Sequence, residues 1–182
     1  MTIALLIVDI QNDYFPGGAM EVTGAEVAAT QAATLLAAFR QHPYPIVHIQ
    51  HVAARAGATF FLPNSAGARI HESVRPNAEE TTFQKHFPNS FRETPLLEHL
   101  HGRGVTELVI AGMMTHMCID TTTRAAFDLG FKCSLAHDAC ATRALSFNGV
   151  HVAAESVQTA FLAALNGLFA KVLSTRELCA DL

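Results

Sequence analysis

Three side chains in this 182-residue sequence have the chemical types of a nucleophile, an activating cation and a proton shuttle: Cys118, Lys85 and Asp9. Cys118 closes the segment Val109-Ile110-Ala111-Gly112-Met113-Met114-Thr115-His116-Met117-Cys118, where an apolar run and a glycine lead to the expected start of a helix. A thiol there faces the positive end of the helix dipole and unpaired N–H groups, which favour thiolate. The same N–H groups can hold the oxyanion of a tetrahedral intermediate. Lys85 opens Lys85-His86-Phe87-Pro88-Asn89-Ser90-Phe91, and its place among phenylalanines favours a held, desolvated ammonium over a solvated surface charge. Asp9 ends the first apolar run, ahead of Gln11, Asn12 and Asp13. It reads equally as a turn with a helix cap or as a partly buried carboxylate that accepts and returns a proton. Brought together, the three would make a cysteine nucleophile with its activating partners. Cys133, Cys140 and Cys179 lack such placement and read as structural.

Short apolar runs alternating with helical stretches must position these groups. Strands are expected at Ile3–Val8, Pro45–Val52, Thr81–Phe83, Val105–Ala111 and Phe131–Ala136, with Val172-Leu173 closing the sheet. Helices are expected over Val22–Gln41, Leu96–Gly102, about Cys118–Gly130 and Val150–Phe169, and residues 53–80 are loop-rich with room for one helical turn. This alternation predicts one α/β domain over residues 1–182 with a mostly parallel sheet. In such sheets ligands bind beyond the carboxyl ends of the strands, where Asp9, Lys85 and Cys118 all fall.

His48, His51 and His71 lie on or after the second strand, but no HxH, HxxxH or HExxH pattern joins them. His48 and His51 on one strand point to opposite faces, so no metal site and no cofactor is expected. His116 reads as a pocket-lining residue or as the base of a Cys/His pair. Phe15, His51, Phe60, Phe61 and His116 are candidates for the substrate wall, with plain core packing as the other reading of the phenylalanines. A largely apolar wall would suit a small, neutral or aromatic substrate.

Half the residues are hydrophobic and only 15% are charged, which excludes disorder. Twelve basic and sixteen acidic side chains leave a net charge of −4 without any basic block, so nucleic acid is not an expected partner. Neither a secretory signal nor an apolar run of membrane-spanning length is present, and the cysteines read as reduced thiols of a cytoplasmic protein. Mean hydropathy of +0.25 points to apolar surface buried between subunits.

The sequence resembles the isochorismatase-like cysteine hydrolases, which include nicotinamidases, N-carbamoylsarcosine amidases and isochorismatases. The resemblance rests on Leu6-Ile7-Val8-Asp9-Ile10-Gln11-Asn12-Asp13-Tyr14-Phe15, on Lys85 with Asn89-Ser90-Phe91, and on Val109-Ile110-Ala111-Gly112 running to Cys118. It implies a Rossmann-like three-layer α/β/α sandwich around a six-stranded, mainly parallel sheet, assembled as a homodimer or higher homo-oligomer. It also implies a catalytic triad of Asp9, Lys85 and Cys118, a cis peptide at Met113-Met114, and an oxyanion hole from the Met114 and Cys118 amides. Nicotinamidases carry an Asp-x-His metal motif after the second strand, whereas Gln50-His51-Val52-Ala53-Ala54-Arg55 here holds no acidic residue. The expected reaction is hydrolysis of a small amide, ureido or related C–N compound through a thioester. The alternatives are isochorismatase-type vinyl-ether hydrolysis and a non-catalytic thiol sensor or ligand-binding protein.

Overall fold

A computed structural model describes residues 2–182. Its main sheet has six strands, all parallel: β1 (Thr2–Val8), β2 (Ile46–His51), β3 (Thr81–Lys85), β4 (Val105–Met113), β5 (Lys132–Ala141) and β8 (Lys171–Leu173), in the order β3-β2-β1-β4-β5-β8. The chain steps outward from β1 to β3, then returns to lay β4 on the other side of β1. The carboxyl ends of β1 and β4 therefore flank the point where strand order reverses.

Alternation along the central strands divides the core between the two faces. Leu5 and Ile7 of β1, with Val109, Ala111 and Met113 of β4, pack against α1 (Ala25–Phe39) and α5 (Thr175–Ala180). Ala4, Leu6 and Val8, with Leu108 and Ile110, pack against α2 (Leu96–Gly102), α3 (Asp120–Asp128) and α4 (Ala154–Leu165). A strand buried on both faces can be apolar throughout, and each fully buried Leu or Ile contributes about 1.5–3 kcal/mol. The result is the three-layer α/β/α sandwich expected from the sequence. Among the described residues, no helix is long and apolar enough to cross a membrane.

Several boundaries differ from the sequence reading. β3 and β4 run on to Lys85 and Met113, so the sheet itself carries the lysine. The helix expected from Val150 begins only at Ala154. Before it, β6 (Leu145–Phe147) and β7 (Val150–Val152) form an antiparallel hairpin closed by Asn148-Gly149. Both turn residues have positive φ, 49° and 77°, as a tight primed turn requires. α5, opened by a capping box between Ser174 and Glu177, was also not anticipated.

Two features hold the strand ends that matter most. Gly112 has φ +139° and pairs with Val8, and a Cβ there would lie 1.9 Å from the Val8 carbonyl oxygen. Only glycine lets β4 approach β1 so closely. At the opposite end, Glu80 accepts from Arg40 at 2.6 and 3.0 Å and from the Asn77 amide at 2.9 Å, and meets His48 at 2.9 Å. This cluster ties α1, β2 and the entry to β3 together. Burial holds the His48 imidazole below its ordinary range despite Glu80, and Arg40 with its neighbours holds Glu80 down at about 2 against its own burial.

Gly112→Ala is expected to lower stability by about 3 kcal/mol, roughly 6–12 °C in Tm, because positive φ and overlap act together. An unchanged thermal melt would show that β1 and β4 can separate freely. The unfolded His48 takes a proton below about pH 6.5 and the folded one resists it, so stability falls as pH drops through that value. Glu80 adds a second loss as the pH falls from the ordinary carboxylate range toward 2. Glu80→Gln should cost about 2 kcal/mol at neutral pH and remove that second loss, as read from melts across pH.

Candidate active site

The carboxyl ends of β1, β3 and β4 bring Asp9, Lys85 and Cys118 together. Asp9 follows β1 in the left-handed region at φ 52°, with its amide bonded to the Ile49 carbonyl at 3.0 Å. That bend turns its carboxylate toward the strand ends. Lys85 ends β3, two strands away, and its long side chain spans β2 to place Nζ 2.7 Å from Asp9 Oδ2. Both side chains are fully buried. Nζ also donates to the Phe87 and Pro88 carbonyls at 3.1 and 3.3 Å and lies 3.3 Å from His51 Nδ1. Cys118 Sγ, an Asp9 carboxylate oxygen and a His51 ring nitrogen all lie within 4.8 Å of one another.

Cys118 does not open the helix, as the sequence suggested. A wider helical turn, Thr115–Ile119, precedes α3, and Met117 and Ile119 both donate to the Met114 carbonyl at 3.0 and 3.3 Å. The Met113–Met114 peptide is cis.

The electrostatics correct the expectation of a standing thiolate. Burial pushes the Cys118 thiol well up and the Asp9 charge pushes it further, while Lys85 pulls it back only in part. Cys118 is 4% exposed, so the helix end cannot offset the loss of water. The resting sulfur therefore holds its proton. Burial acts to neutralise Lys85, but Asp9 beside it outweighs that and keeps the ammonium. The arrangement is a neutral thiol beside a buried carboxylate–ammonium pair. A base within reach of S–H and a cation ready for S⁻ allow the proton to leave as the sulfur attacks.

Asp9, His51 and Cys118 are also the groups that could chelate a metal ion. Lys85 already places an ammonium against two of them, and a second cation there would be repelled. The three histidines of the second-strand region go to different places. His48 binds Glu80, His51 faces Lys85, and His71 bonds Ser73 while stacking on Phe15 at 3.6 Å.

Of the wall candidates, His51 touches Lys85, and Phe61 packs on both His51 and Tyr14 at 5.8 and 4.7 Å. Phe60 lies against Tyr14 and Phe61, whereas the ring partner of Phe15 is His71. His116 engages Thr142 through Nδ1 and sets its ring edge-on to Phe161, whereas the Asp9 carboxylate lies beside the sulfur.

Three residues escaped the sequence reading. Gln11 is fully buried, donates to the His51 and Ala68 carbonyls at 2.8 and 2.7 Å, and accepts from the His51 amide at 2.7 Å. It fixes the backbone of His51, and its place two residues after Asp9 was the available signal. Tyr14 is buried with its hydroxyl held well above the ordinary phenol range, first by burial and also by the charge of Asp9. Arg143, exposed just beyond β5, acts on both Tyr14 and His116. No local motif marks it.

The comparisons place the chain in a family. A family model, the isochorismatase domain, matches residues 3–177. The uncharacterised isochorismatase family protein YddQ of Bacillus subtilis is 52% identical over 175 residues, covering 96% of this chain and 97% of that protein. A crystal structure of a provisionally named isochorismatase hydrolase from Oleispira antarctica superposes with a TM-score of 0.95 at 50% identity, over 98% of this chain and 96% of the other. The nicotinamidase/pyrazinamidase of Mycobacterium tuberculosis is 28% identical over 178 residues, 86% of this chain and 95% of that protein. With the family model spanning nearly the whole chain and a parallel-sheet fold to match, this protein belongs to the isochorismatase family.

Proposed function

We propose that this family member hydrolyses the C–N bond of a small amide, ureido or related compound through a thioester on Cys118. The observation that carries the reading is the buried Asp9–Lys85 pair at 2.7 Å with the Cys118 sulfur beside the carboxylate. The amide substrate named for the mycobacterial relative adds support for C–N chemistry.

In the forward step the Cys118 S–H proton passes to Asp9 while the sulfur bonds to the substrate carbonyl carbon. Lys85 balances the negative charge that moves between carboxylate and sulfur. The carbonyl oxygen becomes an oxyanion held by the Met114 and Cys118 amides, a preorganised pair that needs no reorientation as charge develops. Collapse breaks the C–N bond, and Asp9 returns its proton to the departing nitrogen. A water then gives a proton to Asp9 and attacks the thioester, the C–S bond breaks, and the thiolate recovers its proton. Because the carboxylate starts and ends ionised, one base serves both halves.

A panel of small primary amides assayed for ammonia release tests the reaction. Cys118→Ala and Asp9→Asn should each lower kcat/KM on the order of 10³-fold or more with the circular dichroism spectrum unchanged, the melt staying near wild type for Cys118→Ala and falling for Asp9→Asn, which leaves the buried Lys85 ammonium unpaired. Lys85→Ala should cost a comparable factor, with Lys85→Arg as a variant that keeps the charge if alanine fails to fold. Pyruvate release from isochorismate without turnover of any amide would overturn the reading in favour of vinyl-ether hydrolysis. A raised thiol pKa also fixes a sign. Iodoacetamide should modify Cys118 more slowly than a free thiol at pH 7, and the rate should climb as pH rises toward 10. A rate already flat from pH 6 to 9 would mean a standing thiolate.

A further inference from the structure

An ammonium has three protons to give. Among the described residues, Lys85 Nζ has four nitrogen or oxygen atoms around it: Asp9 Oδ2 at 2.7 Å, the Phe87 and Pro88 carbonyls at 3.1 and 3.3 Å, and His51 Nδ1 at 3.3 Å. One of the four therefore goes without. Two of them are carbonyls of the loop that follows β3, so the backbone of that loop decides which way the ammonium points.

That loop is held from across the site. Thr122 Oγ1 donates to the same Pro88 carbonyl at 3.3 Å, accepts from the Ser90 amide at 3.1 Å and meets Ser90 Oγ at 2.8 Å. A hydroxyl has one proton and two lone pairs. With the proton on Pro88, both Ser90 groups donate to Thr122, and its full bonding capacity is used. The Ser90 carbonyl in turn accepts from Thr94 Oγ1 at 2.6 Å. Ser90 and Thr122 are fully buried, out of contact with bulk water.

Thr122 stands on α3, four residues after Cys118, and that helix continues directly from the turn that carries the cysteine. Residues four apart share a helix face. One face thus presents Cys118 beside Asp9 and, a turn later, Thr122 to the Pro88 carbonyl. Lys85 is tied to Asp9 directly, and through Pro88 and Thr122 to the cysteine's own helix.

We propose that Thr122 and Ser90 are positioning residues: they clasp the Pro88 carbonyl onto Lys85 Nζ, so that the cation stays in place beside Cys118 as its thiol ionises. Neither touches the reacting atoms. Without the clasp the carbonyl is free to withdraw, the third ammonium proton turns to His51, and the cation stands off from the sulfur. The part played in hydrolysis rests on the hydrolase reading; the control of Cys118 reactivity does not.

The test separates the bonds from the packing. Thr122→Val keeps the shape and removes the hydroxyl, Thr122→Ser keeps the hydroxyl, and Ser90→Ala removes one donor to it. Iodoacetamide reports on Cys118 without any substrate: C–S forms, C–I breaks with loss of iodide, and the thiol proton passes to Asp9 and on to solvent. The other titratable groups around the sulfur, Asp9, His51 and Tyr14, are unchanged in every variant. In Thr122→Val the rate at Cys118, mapped by peptide mass spectrometry at pH 8, should fall about fivefold or more, because a more distant ammonium stabilises thiolate less. The rise of rate with pH should move to higher pH. Ser90→Ala should shift the profile the same way, and Thr122→Ser should restore it. A lower Tm in Thr122→Val with the profile unmoved would mean that the clasp supports the fold alone, and overturns the proposal. If Thr122→Val does not fold, Ser90→Ala decides by the same profile.

Hydrolysis is scored separately, on an amide that the wild type turns over. Thr122→Val should lower kcat about tenfold or more while KM changes by less than about threefold. A wild type that releases no ammonia from any amide, with the alkylation profiles shifted as expected, overturns the hydrolase reading and leaves the clasp standing. Ammonia from the wild type, with profiles and kcat indifferent to Thr122 and Ser90, does the reverse.

Discussion

The carboxylate of Asp9 and the ammonium of Lys85 lie 2.7 Å apart with no exposed surface on either side chain. Neither could be buried alone, because an unpaired ion in a low-dielectric interior costs several kcal/mol even after relaxation. Each is therefore the condition for the other. Much of the architecture serves to make that meeting possible: Val8 at the end of β1 is level with Phe83, β3 runs on past it to Lys85, β2 lies between, and the lysine is long enough to cross it. The pair also sets the electrostatics of the buried sulfur, whose pKa the Asp9 charge pushes up and the Lys85 charge pulls back only in part.

The approach of β4 to β1 supplies the third component. Gly112 brings the strand against the Val8 carbonyl, and the wide turn from Thr115 delivers Cys118 beside Asp9. Gln11 holds both backbone groups of His51, so the imidazole that faces Lys85 belongs to a fixed frame. At the far end, the Arg40–Glu80–His48 cluster steadies the strands that carry His51 and Lys85. Rigid elements thus hold Asp9, Lys85 and Cys118 in a fixed frame.

The sheet was legible in the sequence because a strand buried on both faces is written as an unbroken apolar run, as in Leu5 to Val8. The site was legible in its members because a cysteine, a lysine and an aspartate fell at strand ends, where loops converge. What sequence spacing could not carry was the field. A helix start beside Cys118 pointed to a thiolate, but burial and the Asp9 charge oppose it, and both depend on distances that no local pattern records. The hairpin at Leu145–Val152 was missed although Asn148-Gly149 spelled it, because the following helical periodicity absorbed Val150 to Val152.

A crystal structure of the protein soaked with a small aldehyde tests the central claim most directly. The account expects the aldehyde carbon bonded to Cys118 Sγ as a thiohemiacetal, with its oxygen on the Met114 and Cys118 amides and the Asp9–Lys85 pair intact alongside. An imine on Lys85 Nζ, or an unmodified Cys118 beside a bound aldehyde, would contradict it.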